Sequence, residues 1–148
     1  MSTLLSKADR EKIIKALNFD IGLEIGAIVQ YIMHEVMGEG IESPAINEKF
    51  EKISRDEMKH LERFADRVNY LGGVPNTKPN PAKVGGALKK MVQDDLNGEY
   101  MAIKTYKGHV KMCEEIGDTT TRLMLEEILS EEEGHADTWE TVLQKTVK

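Results

Sequence analysis

Two carboxylate–imidazole pairs, Glu57 with His60 and Glu132 with His135, occupy positions that a soluble helix reserves for its core. Phe50, Ile53, Phe64 and Leu71 recur at helical spacing with Glu57 and His60, so all six share one face. Leu125, Ile128, Trp139 and Val142 repeat the arrangement around Glu132 and His135. Two more glutamates follow the same rule: Glu24 shares a face with Leu17, Ile21, Ile28 and Tyr31, and Glu99 with Val92, Leu96, Ile103 and Tyr106. Four carboxylates directed at one interior cannot stand unpaired, because burying an isolated charge is costly and like charges raise one another's pKa. No Lys or Arg lies on these stripes near the glutamates. Two divalent metal ions would balance them. Residues i and i+3 of a helix converge on one ion, and a carboxylate with two oxygens can bridge ions roughly 3.5–4 Å apart. Glu24, Glu57, His60, Glu99, Glu132 and His135 are therefore the candidate ligands of a dinuclear centre.

Asp56, Glu131 and Glu133 fall off the stripes, as solvated residues or as supports for the ligands. Tyr31 and Tyr106 follow Glu24 and Glu99 on the same faces. Each is either a core aromatic whose hydroxyl needs a buried partner or a hydrogen-bond donor to a metal ligand, and Tyr31 could also donate an electron. His34 and His109 lie roughly 80° away from the stripes and are expected at the surface. Met58 is about 100° around the helix from Glu57, beside Ser54, Leu61 and Ala65, so it cannot share the metal-facing stripe.

These residues need four helices to position them. Ser6 or Asp9 can cap a first helix over about 8–37, and Ser43-Pro44 supplies a cap and a first residue for a second over about 44–71. The stretch GGVPNTKPNPAKVGG, residues 72–86, cannot continue a helix and reads as a long crossover. A third helix follows over about 87–116, and Gly117-Asp118 stops it and caps a fourth over about 119–146. EIGAIVQYIMH at 24–34 and EYMAIKTYKGH at 99–109 both fit E-x-x-A-I-x-x-Y-x-x-H. The same 75-residue offset relates Ile53 to Ile128, Glu57 to Glu132, His60 to His135 and Phe64 to Trp139. The expected architecture is all-α: two related helical hairpins joined by a long crossover into a four-helix bundle, one domain over 1–148.

Bulk properties agree. At 148 residues the chain suits one domain, and a composition 31% charged and 5% aromatic favours helix. A net charge of −6 without a Lys/Arg cluster argues against nucleic acid. No 18-residue apolar run or charged leader suggests a membrane or export. The lone Cys113 fits a reducing compartment, and the expected location is the cytoplasm. Ile25, Val29, Ile32 and Val36 form a second apolar stripe on helix one, where helix three carries Lys104, Lys107 and Lys111. A homodimer through helices one and two is expected.

At DEMKH, EIGAIVQYIMH and ILSEEEGH the chain resembles the bacterioferritins, and the resemblance runs from about Ile13 to Thr146. It implies a ferritin-like bundle in which the six candidate ligands hold two iron ions, with Glu57 and Glu132 bridging. It implies oxidation of Fe(II) by oxygen or hydrogen peroxide, for iron storage or detoxification, with Tyr31 beside the site. It also implies that Met58 ligates haem b at a dimer interface, where the residue's own pattern suggests packing. Rubrerythrins share the bundle but carry another metal-binding Glu where this chain has Ala102, and no Cys pairs are present. The alternatives are a rubrerythrin-like dimeric oxidase or peroxidase without mineral storage, and a non-enzymatic metal-binding helical module. Only 13 residues follow His135, so no fifth helix is expected, which leans towards a dimer and leaves a larger cage as the alternative.

Overall fold

The hydroxyl of Ser6 accepts the backbone N–H of Asp9 at 3.1 Å and starts α1 (Lys7–Met37) in the computed structural model, which describes residues 4–144. α2 (Ser43–Tyr70) starts differently from expectation. Ser43 lies within the helix and turns its hydroxyl back to the carbonyl of Gly40, and Glu42 precedes it without a side-chain cap. Pro44 alone keeps its expected place in the first turn, where a missing N–H is harmless. α3 (Leu88–Ile116) ends on Gly117 in the left-handed conformation, φ 91°. Asp118 then caps α4 (Thr119–Val142) by accepting from the backbone of Thr121. α4 stops short of the expected 146: the Leu143 N–H closes the last turn and Gln144 adopts φ 57°, which ends helical geometry. Residues 145 and 146 lie outside the described residues.

α1 packs on α2 and α3 on α4 as two antiparallel hairpins, which meet mainly through α1 and α3. Among the described residues there is no strand. The core divides into two apolar plugs. Ile13, Leu17, Phe64, Val68, Cys113 and Leu125 belong to one, and Phe50, Ile53, Met91, Leu96 and Trp139 to the other. Each fully buried large apolar side chain contributes about 1.5–3 kcal/mol relative to exposure, so both ends of the bundle are well sealed. The polar residues of the centre lie between the plugs.

The crossover is a strap laid along α1. Asn18 donates to the carbonyl of Val74 at 3.1 Å and accepts the Asn76 N–H at 2.8 Å, the Asn80 N–H reaches the Gly22 carbonyl at 2.9 Å, and Lys83 N–H reaches Gln30 Oε1 at 2.8 Å. This approach needs glycine. A Cβ on Gly26 would stand 2.6 Å from the backbone oxygen of Asn80. The strap thus buries part of α1 that helical periodicity alone would leave to solvent.

Candidate metal centre

Glu24 from α1, Glu57 and His60 from α2, Glu99 from α3, and Glu132 and His135 from α4 converge between the two plugs, all of them buried. Their ligand atoms form two groups: Glu24, Glu57, His60 and Glu132, and Glu57, Glu99, Glu132 and His135, the atoms within each lying no more than 4.8 Å apart. Glu57 and Glu132 belong to both. His60 Nδ1 stands 3.2 Å from both Glu57 Oε1 and Glu132 Oε1 and 3.7 Å from Glu24 Oε1. His135 Nδ1 mirrors it, 3.4 Å from Glu57, 3.3 Å from Glu132 and 3.6 Å from Glu99. The two rings are 6.1 Å apart and inclined by 28°.

These atoms face one another without satisfying one another. Glu24 Oε2, Glu57 Oε1, Glu99 Oε2, Glu132 Oε1 and both Nδ1 atoms have no hydrogen-bond partner, although such buried groups are nearly always paired. Six orphaned donor-set atoms aimed at two shared points, four oxygens and two nitrogens, fit two divalent cations. Without such ions, protons must supply the charge. Burial, and then the Glu132 carboxylate, raises Glu24 to about 7 and Glu99 to about 8, and the same causes hold Glu57 well above the usual range. Burial lowers His60 and His135, but their facing carboxylates outweigh it and raise them to about 10 and about 11. Glu132, between both imidazoles, is brought down to about 2 against the effect of burial.

Around the ligands, supports cross from one hairpin to the other. The Tyr31 hydroxyl donates to Glu99 Oε1 at 2.7 Å, and the Tyr106 hydroxyl to Glu24 Oε1 at 2.5 Å. Asp56 Oδ2 lies 3.0 Å from His135 Nε2, and Glu131 Oε1 3.5 Å from His60 Nε2. The hydrogen bond from Asp56 fixes the His135 ring and leaves its Nδ1 free for a metal, whereas the His60 Nε2 makes no hydrogen bond and Glu131 only stands near it. Glu133 stays at the surface, 3.8 Å from Lys107.

The expectation for His34 and His109 is overturned. His34 is fully buried: its Nδ1 meets Asp95 Oδ2 at 2.8 Å, and its Nε2 meets the Lys83 carbonyl of the strap at 2.9 Å. His109 is half-buried, its Nδ1 2.8 Å from Asp20 Oδ2. The strap and the α1–α3 contact cover faces that an isolated helix would expose. Asp20 and Asp95, unremarked in the motif, are both buried one turn before Glu24 and Glu99. The internal repeat would have revealed them, since the 75-residue offset carries Asp20 to Asp95 and His34 to His109. Met58 of α2 is 43% exposed, and α1 separately leaves Val29, Met33 and Val36 uncovered. No helix among the described residues is long and apolar enough to cross a membrane.

A family model for the ferritin-like domain matches residues 14–148. A bacterioferritin of Brucella melitensis is 33% identical over 138 residues, 93% of this chain and 86% of that protein. The fold superposes on a ferritin-like di-iron-carboxylate protein of Bacillus anthracis with TM-score 0.89 and 26% identity, covering 93% of this chain and 99% of that one. It also superposes on a bacterioferritin of Rhodobacter capsulatus, crystallised with a metal-free dinuclear site and a haem iron on a crystallographic special position, with TM-score 0.81 and 31% identity over 88% of this chain and 82% of that one.

Proposed function

The chain belongs to the ferritin-like family as a relative of the bacterioferritins, and from that premise we propose that it is a ferroxidase whose substrate is Fe(II), taken up two ions per chain between its hairpins. Glu24 and His60 would hold one ion, Glu99 and His135 the other, with Glu57 and Glu132 shared. The observation that carries this reading is the pair of overlapping ligand groups with unpartnered donor atoms. Two ferrous ions together supply two electrons. These reduce dioxygen, with two protons, to hydrogen peroxide, or peroxide, with two more, to water.

The protein's part is positioning. Tyr31 and Tyr106 hold Glu99 and Glu24 by one oxygen each and leave the other oxygen for a cation. Asp56 turns the Nδ1 of His135 inward, and Glu131 faces the outer nitrogen of His60. Carboxylate oxygens favour the harder ferric product over the ferrous substrate, which drives oxidation forward. Trp139 donates its indole N–H to Tyr31 and steadies the hydroxyl that orients Glu99; Tyr31 would also be the residue that passes an electron inward.

On this reading residues 1–148 form one di-iron domain, working in the cytoplasm for iron storage or detoxification. The uncovered apolar face of α1 would form the homodimer interface, and Met58 of α2 would ligate a haem b held there. Larger assembly into a cage would build on that dimer. The test is stopped-flow absorbance after mixing two Fe(II) per chain with oxygenated buffer. Wild type should give a rapid ferric phase that Glu57→Ala and Glu132→Ala lose. An unchanged phase in either variant would sink the assignment.

A further inference from the structure

A cavity of about 230 Å³ opens between α1 and α3 and ends on Glu24, Glu57, Glu99 and Glu132. Its walls come from Gly26 and Ala27 of α1, Gly98 and Met101 of α3, and Asn80 and Pro81 of the strap. We infer that this cavity is the port by which a small uncharged oxidant, dioxygen or hydrogen peroxide, reaches the centre, and that Gly98 keeps it open. The inference rests on the ferroxidase reading and adds a route to it.

Three observations carry it. First, the floor of the cavity is formed by the carboxylates whose unpartnered oxygens, Glu24 Oε2, Glu57 Oε1, Glu99 Oε2 and Glu132 Oε1, await a ligand. Second, its outer wall has no free ionised side chain. Gly98, Met101 and Pro81 are the exposed residues, and the one other acid in the wall, Asp95, is already engaged by His34 and Gln30. A hydrated dication needs carboxylates or carbonyls to replace its waters along a path, whereas a neutral diatomic or peroxide does not. The acids that flank the centre from outside, Asp56 and Glu131, lie on the opposite α2–α4 face behind the imidazoles. Third, nothing in the fold explains a glycine at 98. It sits inside a helix, where glycine is a poor choice, and a Cβ there would meet nothing within 4 Å. The repeat-related position in α1 is Leu23, whose side chain lines this same cavity, whereas Gly98 adds no side chain to it.

Gly98 can be enlarged stepwise without breaking a contact, and Gly108, an exposed glycine of the same helix with equally open surroundings and no place in the cavity wall, is the control. Wild type, Gly98→Ala, Gly98→Leu, Gly98→Phe and Gly108→Phe would be loaded anaerobically with two Fe(II) per chain, then mixed with varied oxygen or hydrogen peroxide. The rate should be near wild type for Gly98→Ala and fall with side-chain size. Gly98→Phe should lose at least about fivefold in the slope of rate against oxidant, and Gly108→Phe should lose none. Anaerobic Co(II) uptake should be the same in all five proteins. A fall with one oxidant only identifies which of the two uses the port. Equal slopes for wild type and Gly98→Phe with both oxidants, or an equal fall in Gly108→Phe, overturns the port. Failure of wild type to take up Co(II) would overturn the metal-centre reading beneath it.

Discussion

Tyr31 of α1 donates its hydroxyl proton to Glu99 of α3 across the bundle, at 2.7 Å, and at the same oxygen accepts the indole N–H of Trp139 at 2.8 Å. The repeat-related bond, Tyr106 to Glu24, has Phe64 beside it where Trp139 would stand, so its oxygen receives no such donor. Tyr31→Phe therefore strands two buried polar groups and Tyr106→Phe only one. At about 1–3 kcal/mol for each buried group left unsatisfied, Tyr31→Phe should be the more destabilising in urea unfolding of the metal-free protein. It should also slow ferric formation more. Equal costs would show that the indole bond carries no weight.

Gly26 and Gly98 predict opposite signs for the same substitution. Gly26→Ala drives a Cβ to 2.6 Å from the Asn80 oxygen, which is backbone and must move the strap, so a loss of about 1–3 kcal/mol is expected. Gly98→Ala meets open space and should gain up to about 1 kcal/mol from helix propensity. Urea midpoints of both variants, measured with wild type, decide this. A neutral Gly26→Ala would mean that the strap does not press on α1.

The six candidate ligands are legible in the sequence because each breaks an apolar stripe that otherwise reads without interruption, and because the second hairpin repeats the first. What periodicity missed lies where tertiary contact changes the exposed arc. His34 is off the stripe of its helix, yet the strap folds over it and offers the Lys83 carbonyl. Asp20 and Asp95 lie one turn before the candidate ligands, and only the crossing of α1 over α3 brings each to its histidine. The long crossover is recognisable as non-helical from its prolines and glycines. Its course along α1 rests on asparagine hydrogen bonds and on two glycines, which no hydrophobic pattern reports.

Asp20 gives a pH dependence. Burial raises its carboxyl from the ordinary 3.8 to about 6, against the lowering effect of His109, and its Oδ1 has no partner. The folded protein thus holds this proton more tightly than the unfolded chain does. The stabilisation is fully present below pH 3.8 and is lost as pH rises through about 6. Asp20→Asn mimics the protonated form at every pH. Its melting temperature relative to wild type should rise between pH 4 and pH 7, with the titrating groups that do not touch Asp20 cancelling in the comparison. A difference that stays flat across that range would place the charge of Asp20 outside the stability balance.

Met58 tests the interface. It is exposed on α2, unlike the buried carboxylates of the cluster, and α1 also leaves Val29, Met33 and Val36 uncovered. Haem titrated into the wild-type protein should saturate at one per dimer with a low-spin spectrum, and Met58→Leu should abolish that spectrum while ferrous oxidation continues. Equal haem binding by wild type and Met58→Leu would leave the methionine a packing residue.

Glu57 and Glu132 belong to both ligand groups, and anaerobic Co(II) titration followed by visible absorption tests that sharing directly. Wild type should saturate at two ions per chain. Glu24→Gln should weaken one of them and leave the other, whereas Glu57→Gln should weaken both. Saturation at one ion, or the same single-site loss from Glu24→Gln and Glu57→Gln, would contradict a dinuclear centre built on shared carboxylates.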